Sequence, residues 1–268
     1  MSRFLLILSL TLLGVNLQAQ TDSTAAMITD RPTASAAASL VGKRVLQIET
    51  GYAYADVEVL SLVGSDARAQ VLNLNTLIRY GITDGLELNV GQFFNRFRFK
   101  VDGNVIDGSQ ENEAFPTTVA LRIKLAEEKG VLPDLALLSG ITGSPFSDDE
   151  TGTAFDMRLN ANHTLTSKLS LGWNLGLSYF DDIDDITSIY TLVLGYSITP
   201  ELAAFGEIFG TFTDFAREHS VDFGFTYLVN RNFQLDIYGG FGISDFAPDN
   251  IFGLGASFRL PDKSGAYR

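Results

Sequence analysis

From residue 45 onward, large apolar residues alternate with small or polar ones, and this pattern repeats in twelve separate segments. They lie near 45–54, 70–81, 85–95, 115–125, 134–143, 154–165, 169–180, 187–198, 202–212, 219–229, 233–243 and 250–260. A period of 2 is the spacing of a strand with two unlike faces; a helix would scatter the same apolar residues around its axis. In LSLGWNLGLSY (169–179), Leu169, Leu171, Trp173, Leu175, Leu177 and Tyr179 share one face, opposite Ser170, Gly172, Asn174, Gly176 and Ser178. IFGLGASFRL (251–260) sets Phe252, Leu254, Ala256, Phe258 and Leu260 against Gly253, Gly255, Ser257 and Arg259. FQLDIYGGFGI (233–243) repeats the scheme. Most segments run to about ten residues, the length at which a tilted strand crosses a bilayer.

Two architectures produce such alternation: a soluble β-sandwich and a closed membrane barrel. The smaller-residue face separates them. A sandwich would turn it to bulk water and fill it with Lys and Glu, whereas here it carries Gly, Ser, Asn and isolated charges, which suit a crowded, curved interior. Aromatic residues gather at segment ends (Tyr52, Tyr54, Tyr80, Tyr179, Tyr190, Tyr196, Phe212, Tyr227, Phe233), as in the girdles at a membrane interface. Connections alternate between brief ones, such as GITDG (81–85), TSK (166–168), TPE (199–201) and NRN (230–232), and longer, more acidic ones. The long set includes 95–113, GSPFSDDETGT (143–153), DDIDD (181–185) and SDFAPDN (244–250); AEEKGVLP (126–133) breaks the rule by being long on the short-turn side. The expectation is an all-β fold: one antiparallel transmembrane β-barrel of about twelve strands over residues 45–260, an up-and-down meander with both chain ends on the periplasmic rim.

The flanks read differently. Residues 1–20 combine Arg3 with the apolar stretch Phe4–Val15 and Ala19 near a cleavage point, which predicts a signal peptide and export across the inner membrane to the outer membrane. Residues 21–44 have no strand period and are expected to form a flexible periplasmic arm or a segment within the lumen; Asp30, Arg31 and Pro32 stand out in it. Residues 261–268 form a C-terminal tail. Gly255 to Leu260 resembles the C-terminal signal by which bacterial outer-membrane barrels reach their assembly machinery, although the chain continues through PDKSGAYR. The remaining partners expected are membrane lipids, lipopolysaccharide and a small solute. A formal charge of −13 argues against nucleic acid, and the absence of cysteine removes disulfides, thiolate catalysis and Cys-based metal sites. No motif for a cofactor or a metal appears.

Registering each segment by its apolar face points Glu49, Arg79, Glu87, Arg122, Lys124, Asp156, Arg158, Glu207, Asp222, Asp236 and Arg259 inward as pore-lining residues. Cations collect on segments two to six, and Glu207, Asp222 and Asp236 on segments nine to eleven, so unlike charges are expected on opposing walls. Such a lumen could pass small solutes through a transverse field, or its charges could pair and hold it shut. The expected function is a narrow, porin-like channel. One alternative is a closed structural or adhesion barrel that works through its acidic outer loops. The other is a lipid hydrolase, for which the chain offers His163, placed near the periplasmic rim, and His219, adjoining Ser220 near the outer rim. No G-x-S-x-G motif accompanies them, so no catalytic residue is assigned.

Three stretches carry a family resemblance: ITDRPT (28–33), QIETGYAY (47–54) and LIRYGITDGLELNVG (77–91). In this order they resemble the outer-membrane channel family linked by name to the meta-cleavage pathway of phenol degradation, in which a TDRP-type motif precedes a QxExG strand and a YGxTDxxEL hairpin. The resemblance implies a barrel that acts as a transporter and leaves the substrate unspecified.

Overall fold

The computed structural model describes residues 27–58, 67–106, 111–114, 117–143, 153–180, 185–214 and 216–260. The expected signal peptide, the C-terminal tail and most of the acidic runs at 143–153 and 181–185 lie outside the described residues. The strands are β1 (Leu46–Glu58), β2 (Ala67–Thr83), β3 (Leu86–Val101), β4 (Asn104–Val105), β5 (Glu111–Ala114), β6 (Thr117–Ala126), β7 (Asp134–Gly143), β8 (Ala154–Thr164), β9 (Leu169–Phe180), β10 (Asp185–Ser197), β11 (Leu202–Phe212), β12 (Arg217–Asn230), β13 (Phe233–Gly242) and β14 (Asn250–Leu260). No helix occurs among the described residues.

Twelve of these strands form the barrel. Each pairs antiparallel with its sequence neighbour, β3 passes directly to β6, and the short β4 and β5 attach only to β3. The ring closes where the first strand meets the last, from Leu46↔Leu260 to Asp56↔Asn250. Closure leaves no edge in the twelve-strand wall, and in hydrocarbon it must, because an unpaired backbone N–H or C=O would have no partner.

Burial is inverted relative to a soluble protein. The largest completely buried side chains are Arg79, Arg122, Gln47, Glu49, Glu87, Asn160, Asn174 and Ser257. Leu175, Phe223, Phe225, Ile237 and Leu254 instead stand out from the wall, Phe223 at 59% exposure. A soluble domain would not present so continuous an apolar surface; a lipid-facing one must.

The meander differs from expectation at one place. The side-chain pattern predicts a connection over 95–113, but β3 continues to Val101 and β4 and β5 form beside it. The reason lies in the side-chain pattern. Beyond Gln92 the faces exchange character: Phe93, Phe97 and Phe99 fall on the inward parity, while Arg96, Arg98 and Lys100 fall on the outward one. Here β1, β2 and β3 reach past the apolar band, and the outer surface carries ion pairs: Arg68 binds Asp56 at 2.7 Å and also Asp249. On the opposite rim, the long turn 127–133 closes on itself through paired backbone bonds between Lys129 and Leu132.

Phe225 lies mid-strand on the outward face, cross-strand from Ala204 and Ile237. Phe225→Arg is expected to destabilise the barrel by about 2–4 kcal/mol, and Phe225→Leu by far less. Reversible urea unfolding in lipid vesicles measures both.

Candidate functional site in the barrel interior

Strand alternation places all the inward residues named above on the lumen side. Glu49, Arg79, Glu87 and Arg122 are completely buried; Glu207, Asp222, Asp236 and Arg259 are nearly so. Lys124 sits toward the short-turn rim, 3.0 Å from Asp134, and Arg259 donates to the side chain of Asn232 at 3.2 Å and to the carbonyl of Arg231 at 2.8 Å. Asp222 faces Glu207 directly across β11 and β12. The two walls therefore carry unlike charge, but among the described residues they do not pair with each other directly. Residues 27–45, which precede β1, run through the interior and join them.

Two adjacent residues of this segment face opposite walls. The Asp30 carboxylate accepts from Arg122 Nη2 at 2.5 Å and Nη1 at 3.2 Å, and from Arg79 Nη1 at 3.4 Å. Arg31 turns the other way and binds Asp236 with both ends of its fork, Nη2 to Oδ1 at 2.9 Å and Nε to Oδ2 at 3.2 Å. Charge-assisted, bidentate contacts of this kind are the strong ones. Glu49 holds the junction, its Oε2 accepting the backbone N–H of Asp30 (2.9 Å) and of Arg31 (3.0 Å). Arg79 completes the basic side, donating to Glu87 at 2.8 Å, to Glu49 at 3.1 Å and to the carbonyls of Ile28 and Ser39.

Arg31 needs a smooth floor, and two glycines provide it. Asn75, Gly51, Gly255 and Asp236 stand in one cross-strand row on β2, β1, β14 and β13. The guanidinium lies over this row, bonded to Asn75 Oδ1 (3.2 Å) at one end and Asp236 at the other. A Cβ at Gly51 or Gly255 would overlap the guanidinium itself.

Farther along, the segment binds the acidic wall through its own backbone. Glu207 accepts the N–H groups of Ala34 (2.7 Å) and Ser35 (2.9 Å) as well as the Ser35 hydroxyl. Asn174 pairs reciprocally with Ala36, accepting at 2.6 Å and donating at 3.0 Å. Val41 N–H donates to Glu87 at 2.7 Å, and Arg44 N–H donates to the carbonyl of Gly81 at 2.7 Å. Gly81 has no room for a side chain, because a Cβ there would overlap the carbonyl of Gly42.

The segment borders two cavities in the lumen. An outer cavity of about 440 Å³ lies toward the long-loop rim, between Leu77, Phe93, Leu138, Asp156, Arg158 and Phe180. An inner cavity of about 300 Å³ lies toward the other rim, against Ala161, Asn162, Ser170, Gly172 and Val193. Thr33, Ser35 and Ala36 border both.

The histidines lie elsewhere. His219 and Ser220 are consecutive on β12, so their side chains leave opposite faces: Ser220 is buried inside, while His219 points outward, its Nδ1 3.0 Å from the Tyr190 hydroxyl and its ring edge-on to Phe212 at 5.1 Å. They cannot act as a nucleophile–base pair. His163 accepts a hydrogen bond from the Trp173 indole at 3.3 Å on the outer surface.

Asp30, Arg31, Asn75, Gly51, Gly255, Ser35 and Asn174 were not among the residues read as pore-lining from the sequence. The available signals were the TDRP stretch, and an inward glycine on each of the strands that meet at the closure.

Residues 29–260 match the family described as "Putative MetA-pathway of phenol degradation". No curated protein sequence matches the chain. Among solved structures, the fold is similar to an outer-membrane channel from Pseudomonas putida F1, with a TM-score of 0.62 and 12% identity over 83% of this chain and 97% of that one. It is also similar to the translocator domain of the autotransporter NalP from Neisseria meningitidis, with a TM-score of 0.50 and 10% identity over 82% and 89% of the two chains.

Arg31→Gln and Gly255→Val are each expected to loosen residues 27–36. Backbone amide exchange at Asp30, Arg31 and Ser35 should rise by at least about tenfold, the equivalent of losing one charged hydrogen bond. Exchange in the β6–β9 wall should stay slow.

Proposed function

The chain belongs to the MetA-pathway family of phenol degradation, and on that premise we propose that it is an outer-membrane channel for small solutes, closed at rest by its own N-terminal segment. One observation carries this reading: the barrel interior holds two cavities, and Thr33, Ser35 and Ala36 of the N-terminal segment line both. A barrel serving only as a scaffold needs no such spaces. Residues 1–20 would direct export, Gly255–Leu260 would engage the assembly machinery, and the outward charged rim of β1–β3 would meet lipopolysaccharide. The selectivity residues are the inward charges Glu49, Arg79, Glu87, Arg122, Lys124, Asp156, Arg158, Glu207, Asp222, Asp236 and Arg259.

The segment is well suited to a moving part. Its directional contacts with the walls are hydrogen bonds and ion pairs, which water can replace as they break, and the apolar residues it buries, Met27, Ala38 and Val45, are few. A rival reading also has a physical basis: the pairing of Asp30 and Arg31 with both walls is extensive enough to hold the barrel shut permanently.

Planar-bilayer recording distinguishes the two. Unaltered protein is expected to show small, brief openings, and Asp30→Asn combined with Arg31→Gln to raise single-channel conductance severalfold. Arg122→Glu sets a carboxylate beside Asp30 and Glu87, so it should both increase open time and shift selectivity toward cations. Silence from all three proteins would favour the closed structural barrel.

A further inference from the structure

Arg158 differs from the other guanidiniums that meet the N-terminal segment. Arg31, Arg79 and Arg122 are each bonded to carboxylates. Arg158 has no carboxylate in salt-bridge contact among the described residues; its Nη1 donates to the carbonyl of Ala34 at 3.2 Å. Its Nε and Nη2, the side of the fork that matches two carboxylate oxygens in parallel, have no protein partner among the described residues. Gly176 lies directly opposite Arg158 on β9. A Cβ there would come within 3.3 Å of Arg158 Cγ, so the glycine lets the side chain lie flat against the wall.

The side chain borders the outer cavity of about 440 Å³, a size ordinary for a small-molecule site. Beside polar residues such as Asp30, Asn89 and Thr118, that cavity has a large apolar lining for a lumen: Leu77, Phe93, Leu138, Phe180 and Ile189. Asp156 stands two residues from Arg158 on the same face, nearer the outer rim. Its oxygens are already occupied by the hydroxyls of Thr142, at 2.8 Å, and Ser178. A solute with a second negative charge would be repelled there.

We infer that the outer cavity is a binding site for a small amphipathic monocarboxylate, its head on the free edge of Arg158 and its apolar body among Leu77, Phe93, Leu138, Phe180 and Ile189. On the channel reading, on which its role as a solute station rests, this is where a solute from outside pauses above the closed segment.

The test is calorimetric titration of the full chain in detergent micelles, against protein-free micelles. Benzoate and hexanoate serve as complete probes, acetate as the head alone and benzyl alcohol as a neutral body. Benzoate and hexanoate are expected to bind, and acetate and benzyl alcohol to bind at least about tenfold more weakly. Arg158→Gln should weaken benzoate about tenfold, the scale of one charge-assisted contact, and Arg158→Lys should restore part of the loss. Leu138→Asn leaves the cation in place and should narrow the gap between benzoate and acetate; it decides the matter if Arg158→Gln does not fold, as judged by heat-dependent gel mobility. Equal benzoate affinity with and without Arg158, benzyl alcohol bound as tightly as benzoate, or no binding at all would overturn the site. Phenylalanine bound as tightly as benzoate would overturn it too, in favour of a zwitterion with its ammonium on Asp156. A barrel that conducts salt but ignores benzoate keeps the channel and loses the site; one that binds benzoate through Arg158 but never conducts keeps the site and loses the channel.

Discussion

Hydrocarbon cannot hydrogen-bond, and the rest of the molecule follows from that. Every strand must find a partner on both sides, so the sheet returns to its start and β1 meets β14. Large apolar residues then have only one place to go, outward, and the polar half of every strand is confined to a narrow tube. The usual problem of a protein core is reversed. What has to be satisfied inside is charge and hydrogen bonding, not packing of aliphatic groups.

The interior solves this in two stages. Near neighbours pair first, as Arg79 does with Glu87 and Glu49. Charges left over on the two walls are met by a dipeptide of opposite charges: Asp30 toward Arg122, Arg31 toward Asp236. Burying any one of these ions alone would be costly; burying them as a connected set is tolerable because each finds a counter-ion and a donor or acceptor. The same logic explains why the segment is bound so largely through its backbone, with Glu207 and Asn174 satisfying groups that a strand would otherwise have paired.

The barrel was legible in the sequence because its physics is local. Alternation can be read residue by residue, and a strand such as 169–180 needs no knowledge of its neighbours to reveal which face is greasy. The outer half of β3 was misread because that local rule depends on lipid; once the strand rises past the membrane, Phe97 and Arg98 can exchange sides without penalty. The three motifs at 28–33, 47–54 and 77–91 could be recognised as a set, but not as one contact surface: that Glu49, Gly51, Gly81 and Glu87 all meet residues 28–44 depends on the path of a segment with no period of its own. The floor beneath Arg31 was hidden for the same reason, since Gly51 and Gly255 become neighbours only when the ring closes.

That pair of glycines also fixes where Arg31 sits relative to the order in which the chain is made. They belong to the first and last barrel strands, so the guanidinium lies across the join between the oldest and newest parts of the wall, fastened to β2 on one side and β13 on the other. It is a clasp across that join. Whatever frees the segment therefore also removes an internal brace from the seam where the wall closes on itself.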